Sequence, residues 1–298
     1  MSAGSSARLA GRAAIVTGSS RGLGRAIATS FAQEGAAVAV VARTESEWSP
    51  LHPGTIHEVV REIEAKGGQA VAIPADLSRT DDVERVFYSA REALGPISIL
   101  VNNAALTTPG RPPTGNGRAG PQRGAAFSEV SAVLNLPPFV DLPLKAFRMH
   151  FQIGLFAAFR LMQLVLPEMI ESRRGSIINI GSAAAFVPGE GPYQQTAMAA
   201  PVGYGANKAA LHYLTQAVAV AVQSQGIAVN ALLPSEPVLT PGNLVAAAGE
   251  TQWASAGEFA EAAVRVALAD PATTTGCLLW HDDVLHPELG RRGWLRPM

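Results

Sequence analysis

Seven short, mostly apolar runs recur along the chain, and most of them are rich in β-branched residues. They lie at residues 13–17, 37–42, 69–73, 97–101, 176–180, 227–233 and 276–280. Nearly continuous apolar runs of this length are typical of strands that are buried on both faces, as in a parallel sheet. The pattern therefore predicts about seven buried strands.

Between these runs, apolar residues recur with the spacing of a helix. Residues 56–63 and 83–90 follow the i, i+3, i+4, i+7 pattern, and residues 144–172 and 204–224 are apolar around much of their circumference. Such segments predict helices, and the last two predict long, mostly buried ones. The alternation predicts an α/β fold: a single Rossmann-type, doubly wound parallel sheet flanked by helices, forming one dinucleotide-binding and catalytic domain over residues 1–298.

Three segments depart from this alternation. Irregular insertions are predicted near residues 107–140 and 183–203, followed by an atypical C-terminal tail at 281–298. Residues 107–126 hold nine glycines or prolines and three arginines in twenty positions. This composition predicts an irregular insertion, which is either a surface loop or a basic lid.

Composition narrows the function classes. The formal net charge is −1, which gives no electrostatic footprint for nucleic acid or an anionic membrane. No apolar run is expected to approach the ~18–20 residues of a membrane span, and the first twelve residues lack the apolar stretch of a signal peptide. We therefore expect a cytoplasmic protein with no nucleic-acid or membrane partner. Charged residues make up only 16%, so part of the surface is expected to lie against partner subunits.

The cysteine and histidine content gives no metal site. The single cysteine, Cys277, excludes an intrachain disulfide and a zinc site built from several thiolates. It is interpreted as a small buried residue, with a nucleophile as the alternative. The six histidines show no metal-ligand spacing. The sequence therefore predicts no metal ion.

A glycine-rich turn follows the first strand. The segment TGSSRGLG at 17–24 leads from this strand into a helix and places glycines at 18, 22 and 24. Glycines in this order let a backbone approach a pyrophosphate, whose charge then lies at the helix N-terminus. The alternative is a tight turn that needs glycine only for its conformation. A dinucleotide site is the favoured interpretation.

The end of the second strand bears on the choice of dinucleotide. NAD-binding folds of this kind usually place an acidic residue there, whereas this chain has Ala42 followed by Arg43. Arg21 lies inside the glycine-rich turn. Two guanidinium groups suit a 2′-phosphate, because arginine binds phosphate oxygens in bidentate fashion. The sequence therefore predicts NADP as the cofactor, with NAD as the alternative.

These motifs resemble those of the short-chain dehydrogenase/reductase family. Five occur in the family's order over nearly the whole chain: TGSSRGLG at 17–24, ADLS at 75–78, NNAA at 102–105, IINIGS at 177–182 and YGANK at 204–208. The resemblance implies that Asp76 and Leu77 flank the adenine and that Asn102 lines the strand edge beneath the cofactor. The cofactor-binding residues so predicted are Gly18, Ser20, Arg21, Gly22, Leu23, Gly24, Arg43, Asp76, Leu77, Asn103, Ala104, Tyr204, Lys208, Pro234, Val238 and Thr240.

The resemblance also implies the catalytic residues Ser182, Tyr204 and Lys208. Tyr204 exchanges the proton on the substrate oxygen while a hydride moves between nicotinamide and the carbonyl carbon. Ser182 orients that oxygen, and Lys208 holds the nicotinamide ribose. At about 6 Å, the charge of Lys208 is expected to favour the ionised tyrosine by roughly 2.8 kcal/mol. An oxidised nicotinamide ring adds a second positive charge, and the two together are expected to lower the pKa of the tyrosine. Among the other tyrosines, Tyr193 is the next candidate, as a residue that contacts the substrate.

The sequence departs from the family at the site itself. Gly154 stands where the family usually has an asparagine that bends its helix and helps a water connect the lysine to solvent. Glycine is expected to supply the bend and to leave room for a second water, so that Gly154→Asn leaves turnover unchanged or modestly raised. Pro234 is followed by Ser235 instead of glycine. An alternative function is therefore a weak or inactive cofactor-binding relative, and a third is an isomerase or dehydratase that uses the same site.

The substrate and the assembly are the least specified predictions. A carbonyl/alcohol pair is expected, with a weak preference for a lipophilic ketone. Seven residues are candidates for an apolar substrate pocket, with ordinary packing inside the protein as the alternative: Phe186, Val187, Tyr193, Met198, Leu244, Val245 and Trp253. Family members commonly pair the two long helices across a dimer axis. A homodimer or homotetramer is therefore predicted.

Overall fold

The apolar runs pair side by side into one parallel sheet. The computed structural model describes residues 7–47, 53–106, 139–186, 202–236, 238 and 254–289. The strands within them are Ala13–Thr17 (β1), Ala37–Ala42 (β2), Gln69–Pro74 (β3), Ile99–Asn102 (β4), Gly175–Ile180 (β5), Ile227–Leu233 (β6) and Leu278–Trp280 (β7). Their order is β3-β2-β1-β4-β5-β6-β7, with every neighbouring pair parallel. The predicted α/β fold is confirmed.

Each strand is followed by a helix, and β4 is followed by two. The helices are Gly22–Gln33 (α1), Ile56–Ala65 (α2), Thr80–Leu94 (α3), Leu144–Phe151 (α4), Ala157–Ser172 (α5), Val202–Ala221 (α6), Ala256–Ala267 (α7) and His281–Leu285 (α8). Short 3₁₀ turns lie at Phe139–Asp141, Ala183–Ala185 and Pro287–Leu289. The start of α2 shows a local cause: Thr55 Oγ1 accepts from the Glu58 backbone, and the Glu58 carboxylate accepts from Thr55 N.

Apolar side chains form one core on each face of the sheet. On one face α1, α2 and α7 cover the sheet, with Phe31 and Phe259 fully buried. On the other face α3, α5 and α6 pack against it, with Val86 and Leu161 fully buried. The strand order changes direction at β1, which lies between β2 and β4. The carboxyl ends of β1 and β4 therefore form the switch point at which open α/β sheets bind ligands.

The predicted long helix at 144–172 has a break in its hydrogen-bond pattern. A π turn, Gln152–Phe156, joins α4 to α5 and contains the buried Gly154. By length and composition this 29-residue stretch could cross a membrane, with 39% of its most apolar window buried. The expectation that no apolar segment approaches that length was therefore too strong. Leu161 and Val165 of α5 are fully buried in the core, as in the core helix of a folded domain.

Candidate active site

The glycine-rich turn leaves little room for side chains. Gly18 has a φ of 67°, which favours glycine, and a Cβ on Gly24 would lie 2.3 Å from the Gly18 carbonyl oxygen. Gly22 begins α1, Ser20 is buried, and Leu23 packs against the core. α1 has no side-chain cap and no acidic residue in its first turn. The backbone N–H groups at the start of α1 therefore fit an anionic phosphate group.

The turn is held in place by the end of β4. Asn103 Nδ2 donates to the carbonyl oxygens of Thr17 and Gly18 at 2.8 and 3.1 Å. Thr17 Oγ1 accepts from the backbone nitrogens of Asn103 and Ala104 at 3.0 and 3.1 Å. Asn103 and Ala104, predicted as cofactor residues, therefore position the turn. Thr17 is a contributor that the sequence analysis missed.

Two arginines lie beside this turn. Arg21 Nη2 donates to Thr44 Oγ1 at 2.9 Å and to the Gly54 carbonyl oxygen at 3.4 Å. Burial lowers the pKa of Arg21, and the nearby charge of Arg43 lowers it further. Arg43 is exposed and follows Ala42, the last residue of β2. Two neighbouring positive charges therefore lie at the end of β2, where NAD-binding folds usually place an acidic residue.

The other predicted cofactor residues lie at carboxyl ends of strands, apart from those outside the described part of the chain. Asp76 follows β3, and its Oδ1 accepts from the backbone and hydroxyl of Ser78. Leu77 is buried in the core. Pro234 follows β6, and Val238 forms an isolated parallel bridge with Ala254. The predicted residues that lie outside the described ranges are Thr240, Val187, Tyr193, Met198, Leu244, Val245 and Trp253.

Ser182, Tyr204 and Lys208 come together at the carboxyl end of β5. Ser182 follows β5, and its side chain hydrogen-bonds the Tyr204 hydroxyl. Ser182 Oγ also accepts from the Ala184 backbone at 3.1 Å. Lys208 Nζ lies 5.6 Å from the centre of the Tyr204 ring and donates to the Ile180 carbonyl oxygen at 2.5 Å. The structure thus joins the three residues that the resemblance implies.

Burial controls ionisation in this cluster. It raises the pKa of the Tyr204 hydroxyl above its ordinary value of 10.0, and the hydrogen bond from Ser182 lowers it by less. Burial also lowers the pKa of Lys208 from 10.5 to about 8. Desolvation of the tyrosinate therefore outweighs the hydrogen bond from Ser182. The expected lowering of the tyrosine pKa, which counts the charge of an oxidised nicotinamide as well as that of Lys208, stays a prediction.

A buried histidine forms a hydrogen bond with the backbone of Ser182. His212 Nε2 accepts from the Ser182 backbone nitrogen at 3.4 Å, and its ring packs 5.3 Å from the Phe186 ring. A Cβ on Gly181 would lie 2.5 Å from this nitrogen. Burial, followed by the charge of Lys208, lowers the pKa of His212 from 6.5 to about 4. His212 is therefore neutral near pH 7. The sequence analysis missed it, although it lies four residues after Lys208.

Buried amides connect the strand ends to α6. Asn102 Nδ2 donates to Asn179 Oδ1 at 2.8 Å, and Asn179 Nδ2 donates to Thr215 Oγ1 at 2.9 Å. Thr215 Oγ1 in turn donates to the Leu211 carbonyl oxygen at 2.7 Å. Asn102 thus lies at the strand edge, as the resemblance implies, and anchors the helix that carries Tyr204.

The space over Gly154 is filled, contrary to the expectation that glycine leaves room for a second water. A Cβ at this position would lie 2.4 Å from Asn207 Nδ2 and 3.0 Å from Asn207 Cγ. Gly154 has no positive φ, so its backbone conformation does not require glycine. The amide of Asn207, which the sequence analysis missed, excludes a side chain here. We therefore expect Gly154→Asn to disturb the site when made alone.

The described residues give no sign of a metal centre. No group of three or more His, Cys, Asp or Glu side chains within the described ranges could hold a metal ion. Cys277 is a free, half-buried thiol whose backbone nitrogen donates to Asn230 Oδ1.

Comparison with known proteins places this geometry in a family. The family model of short chain dehydrogenases matches residues 12–246. The 7alpha-hydroxysteroid dehydrogenase of Escherichia coli is 31% identical over 227 residues, which cover 76% of this chain and 71% of that protein. A short chain dehydrogenase of Pseudocercospora fijiensis is also 31% identical, and the chain spans 60% of its length.

Solved structures agree with this match. A dehydrogenase structure from Beutenbergia cavernae with NADP bound at low occupancy has a TM-score of 0.70 at 27% identity, covering 94% of this chain and 99% of that one. A 7α-hydroxysteroid dehydrogenase in complex with NADH and 7-oxo glycochenodeoxycholic acid has a TM-score of 0.69 at 27% identity, covering 94% and 96%. Fold, motif order and relatives agree, and the chain belongs to the short-chain dehydrogenase/reductase family of oxidoreductases.

Proposed function

We propose that this protein is an NADP-dependent oxidoreductase that interconverts a carbonyl compound and an alcohol, with Tyr204 as the general acid/base. The observation that carries the proposal is the buried contact between the hydroxyls of Tyr204 and Ser182, with Lys208 Nζ 5.6 Å from the tyrosine ring. The glycine-rich turn follows β1 and Ser182 follows β5, so both lie at the edge formed by the carboxyl ends of the parallel strands. A substrate at Ser182 would therefore be within reach of a cofactor held at that turn.

Each residue has a stated task in the reduction. A bound reduced nicotinamide supplies the hydride that the carbonyl carbon receives. Tyr204 donates its hydroxyl proton to the carbonyl oxygen, and the Ser182 hydroxyl hydrogen-bonds the same oxygen to orient it. Lys208, held by the Ile180 carbonyl oxygen, would hold the nicotinamide ribose and keeps a positive charge near the tyrosine. The products are the alcohol and the oxidised cofactor.

The preference for NADP rests on Arg21 and Arg43. The Arg21 guanidinium is held by Thr44 and Gly54, close enough to Arg43 for the two charges to interact. A 2′-phosphate bound between them would relieve this repulsion, whereas the ribose hydroxyl of NAD finds no carboxylate at Ala42. One structural relative was solved with NADP and another with NADH, so affinity measurements must decide the preference.

We propose a lipophilic ketone as the substrate class. Phe186 lies three residues beyond Ala183, at the edge of the site, and packs on His212. The name of the relative from Escherichia coli refers to a hydroxysteroid, which is a lipophilic alcohol. Both observations support an apolar pocket beside Ser182.

A ketone screen tests the proposal. Purified protein is mixed with NADPH and a panel of lipophilic and polar ketones, and oxidation of the cofactor is followed by absorbance. Tyr204→Phe should abolish the reaction. Tyr88→Phe is the matched control, because this tyrosine on α3 is 59% exposed. If wild type and Tyr204→Phe turn over an accepted ketone equally slowly, Tyr204 is not the acid.

The same screen separates the alternatives. A protein that binds NADPH but reduces no ketone would be a cofactor-binding relative without turnover. An isomerase or dehydratase would convert substrate without net consumption of NADPH, which product analysis by mass spectrometry detects.

We also propose that the protein acts as a single cytoplasmic domain that assembles as a homodimer or homotetramer. The strands of the one sheet run from Ala13 to Trp280, which supports a single domain. Helix α6 exposes Tyr213 and Val220 at 76% and 73%, and the end of the π turn exposes Phe156 at 53%. Exposed apolar groups on these neighbouring helices support a subunit interface. The net charge of −1 supports neither nucleic acid nor a membrane as partner.

A further inference from the structure

Two departures from the family's pattern lie far apart in the sequence and meet in the structure. Ser235 follows Pro234 where the family has glycine, and His281 begins the atypical C-terminal tail. The Ser235 backbone nitrogen donates to His281 Nδ1 at 3.0 Å. The Asp282 backbone nitrogen donates in turn to Ser235 Oγ at 3.4 Å. The chain just beyond β6 is therefore tied to the residues that follow β7.

The His281 ring is held in the orientation that accepts this hydrogen bond. It is buried, and its centre lies 5.5 Å from that of the Phe259 ring of α7. Asp282 Oδ1 lies 3.0 Å from His281 Nε2. A neutral imidazole that accepts at Nδ1 carries its proton on Nε2, which here faces the carboxylate. Asp282 therefore favours the tautomer of His281 that accepts from Ser235.

The end of β6, two residues before Ser235, lies beside the strand end that carries Ser182. β6 pairs with β5, and the Gly181 backbone nitrogen donates to the Leu232 carbonyl oxygen at 2.9 Å. A Cβ on Gly181 would lie 2.7 Å from Leu233 Cγ. In the strand order, β6 follows β5 on the side away from β4 and β1. The chain that leaves β6 therefore flanks Ser182 on the side opposite the glycine-rich turn.

The position of this chain matters for the nicotinamide end of the cofactor. In the proposed reduction the hydride has to reach a carbonyl carbon held at Ser182 and Tyr204. A cofactor with its phosphates at the turn after β1 would therefore extend along the strand ends to β5, and the chain after β6 would border its nicotinamide end. Val238 in this chain is 3% exposed and forms a parallel bridge with Ala254. Ser235 lies where this path begins.

We propose that His281 is a positioning residue for the cofactor, which fixes the chain after β6 as one side of the nicotinamide site by accepting from the Ser235 backbone. The inference rests on the proposed function. Serine at 235 adds a second contact, since its hydroxyl accepts from the Asp282 backbone and glycine has no such group. Without His281 the chain can leave β6 along other paths, and the cofactor binds only the fraction of molecules with the competent path.

The first test compares the two ends of the cofactor. Dissociation constants are measured by calorimetry for NADPH and for 2′,5′-ADP, which carries the adenosine end and lacks the nicotinamide. His281→Leu removes the acceptor and should raise Kd for NADPH about tenfold, with that for 2′,5′-ADP nearly unchanged. His286→Leu, an exposed histidine directly after α8, is the matched control. If NADH is the tighter ligand, NADH and AMP replace the pair.

Two results of this test overturn the proposal. The first is unchanged NADPH affinity in His281→Leu. The second is an equal loss for NADPH and 2′,5′-ADP, which would indicate a general disturbance of the fold. A wild type that binds neither NADPH nor NADH refutes the proposed function, and this inference with it, so the two failures are distinguishable.

The second test restores the acceptor. In His281→Asn the side-chain oxygen can take the place of Nδ1 and accept from the Ser235 backbone, so this variant should recover most of the NADPH affinity that His281→Leu loses. Urea unfolding of both variants shows whether each is folded under the conditions of the titration. If the folded His281→Asn binds NADPH as weakly as His281→Leu, the hydrogen bond does not position the site and the proposal is wrong.

A third variant keeps the proposal testable if substitution of the buried histidine prevents folding. Asp282→Asn changes a side chain that is 27% exposed and removes the carboxylate that favours the accepting tautomer of His281. We expect it to raise Kd for NADPH about threefold while leaving that for 2′,5′-ADP unchanged. Asp283→Asn, which removes the next carboxylate on α8, is the matched control. Equal NADPH affinity in Asp282→Asn and Asp283→Asn contradicts the proposal.

Discussion

Replacing Thr215 with valine tests the buried amide chain that fixes the catalytic helix to the sheet. Thr215 Oγ1 is the acceptor for Asn179 Nδ2, whose oxygen in turn accepts from Asn102. Thr215 is fully buried, and among the described residues the further partner of Asn179 Nδ2 is Met162 Sδ at 3.9 Å. Valine keeps the shape of threonine but removes this acceptor.

The expected cost follows from leaving one buried N–H unsatisfied. Such a group destabilises a fold by about 1–3 kcal/mol, so we expect Thr215→Val to lower the free energy of unfolding by about 2 kcal/mol. Thr29→Val is the matched control. Thr29 Oγ1 also donates to the carbonyl oxygen four residues earlier, but it is half-buried in α1 and accepts from no buried amide of the described residues. The control should change stability by less than about 0.5 kcal/mol.

Urea unfolding followed by circular dichroism measures both variants. Protein concentration is held fixed because subunit association contributes to apparent stability. The slope with urea should be the same for wild type and both variants, so that differences in midpoint report stability alone. If Thr215→Val and Thr29→Val destabilise equally, Asn179 does not depend on Thr215, and the chain does not anchor α6.

Three further predictions concern cofactor, pH and assembly. Arg43→Ala should weaken NADPH binding at least about tenfold while leaving NADH binding nearly unchanged, as measured by fluorescence titration; equal losses for both would contradict a 2′-phosphate contact. The reductive kcat should fall as pH rises through about 8, where Lys208 loses its proton; a flat profile to higher pH would show that its charge is not needed. Light scattering should give a dimer or tetramer whose mass falls in Tyr213→Asp, and a monomeric wild type contradicts the proposed interface.

The strands could be predicted from the sequence because each is apolar nearly throughout. The runs at 13–17, 37–42 and 227–233 coincide with β1, β2 and β6, and the others differ by one to two residues at their ends. The helix ends at 144–172 were also close, since Leu144 and Ser172 bound the helical segment. The π turn within it could not be predicted, because the change from i−4 to i−5 hydrogen bonds leaves no periodicity signal over five residues.

The site residues likewise divide into those that the sequence predicts and those that it does not. Ser182, Tyr204 and Lys208 carry a motif with fixed spacing, and a parallel sheet brings the ends of its strands to one edge, so their meeting followed from the sequence. Asn207 and His150 lie at contacts between helices, and these contacts depend on which glycine lies opposite which side chain. That pairing is set by how the helices cross, which local patterns do not encode. The polar residue Asn207 within the YGANK segment, directly before Lys208, is the signal that could have been followed.

Proton placement in the site bears on the direction of the proposed reaction. Burial raises the pKa of Tyr204 above 10.0, so the protein's own groups keep it in the neutral form that donates a proton in reduction. Oxidation needs the tyrosinate, and at 5.6 Å the charge of Lys208 favours it by about 3 kcal/mol at an effective dielectric constant near 20. That charge is lost above about pH 8, before Tyr204 ionises. Near neutral pH we therefore expect Tyr204 to be protonated and able to donate to a carbonyl oxygen, whereas we expect its ionisation for alcohol oxidation to need the charge of Lys208 together with that of an oxidised nicotinamide.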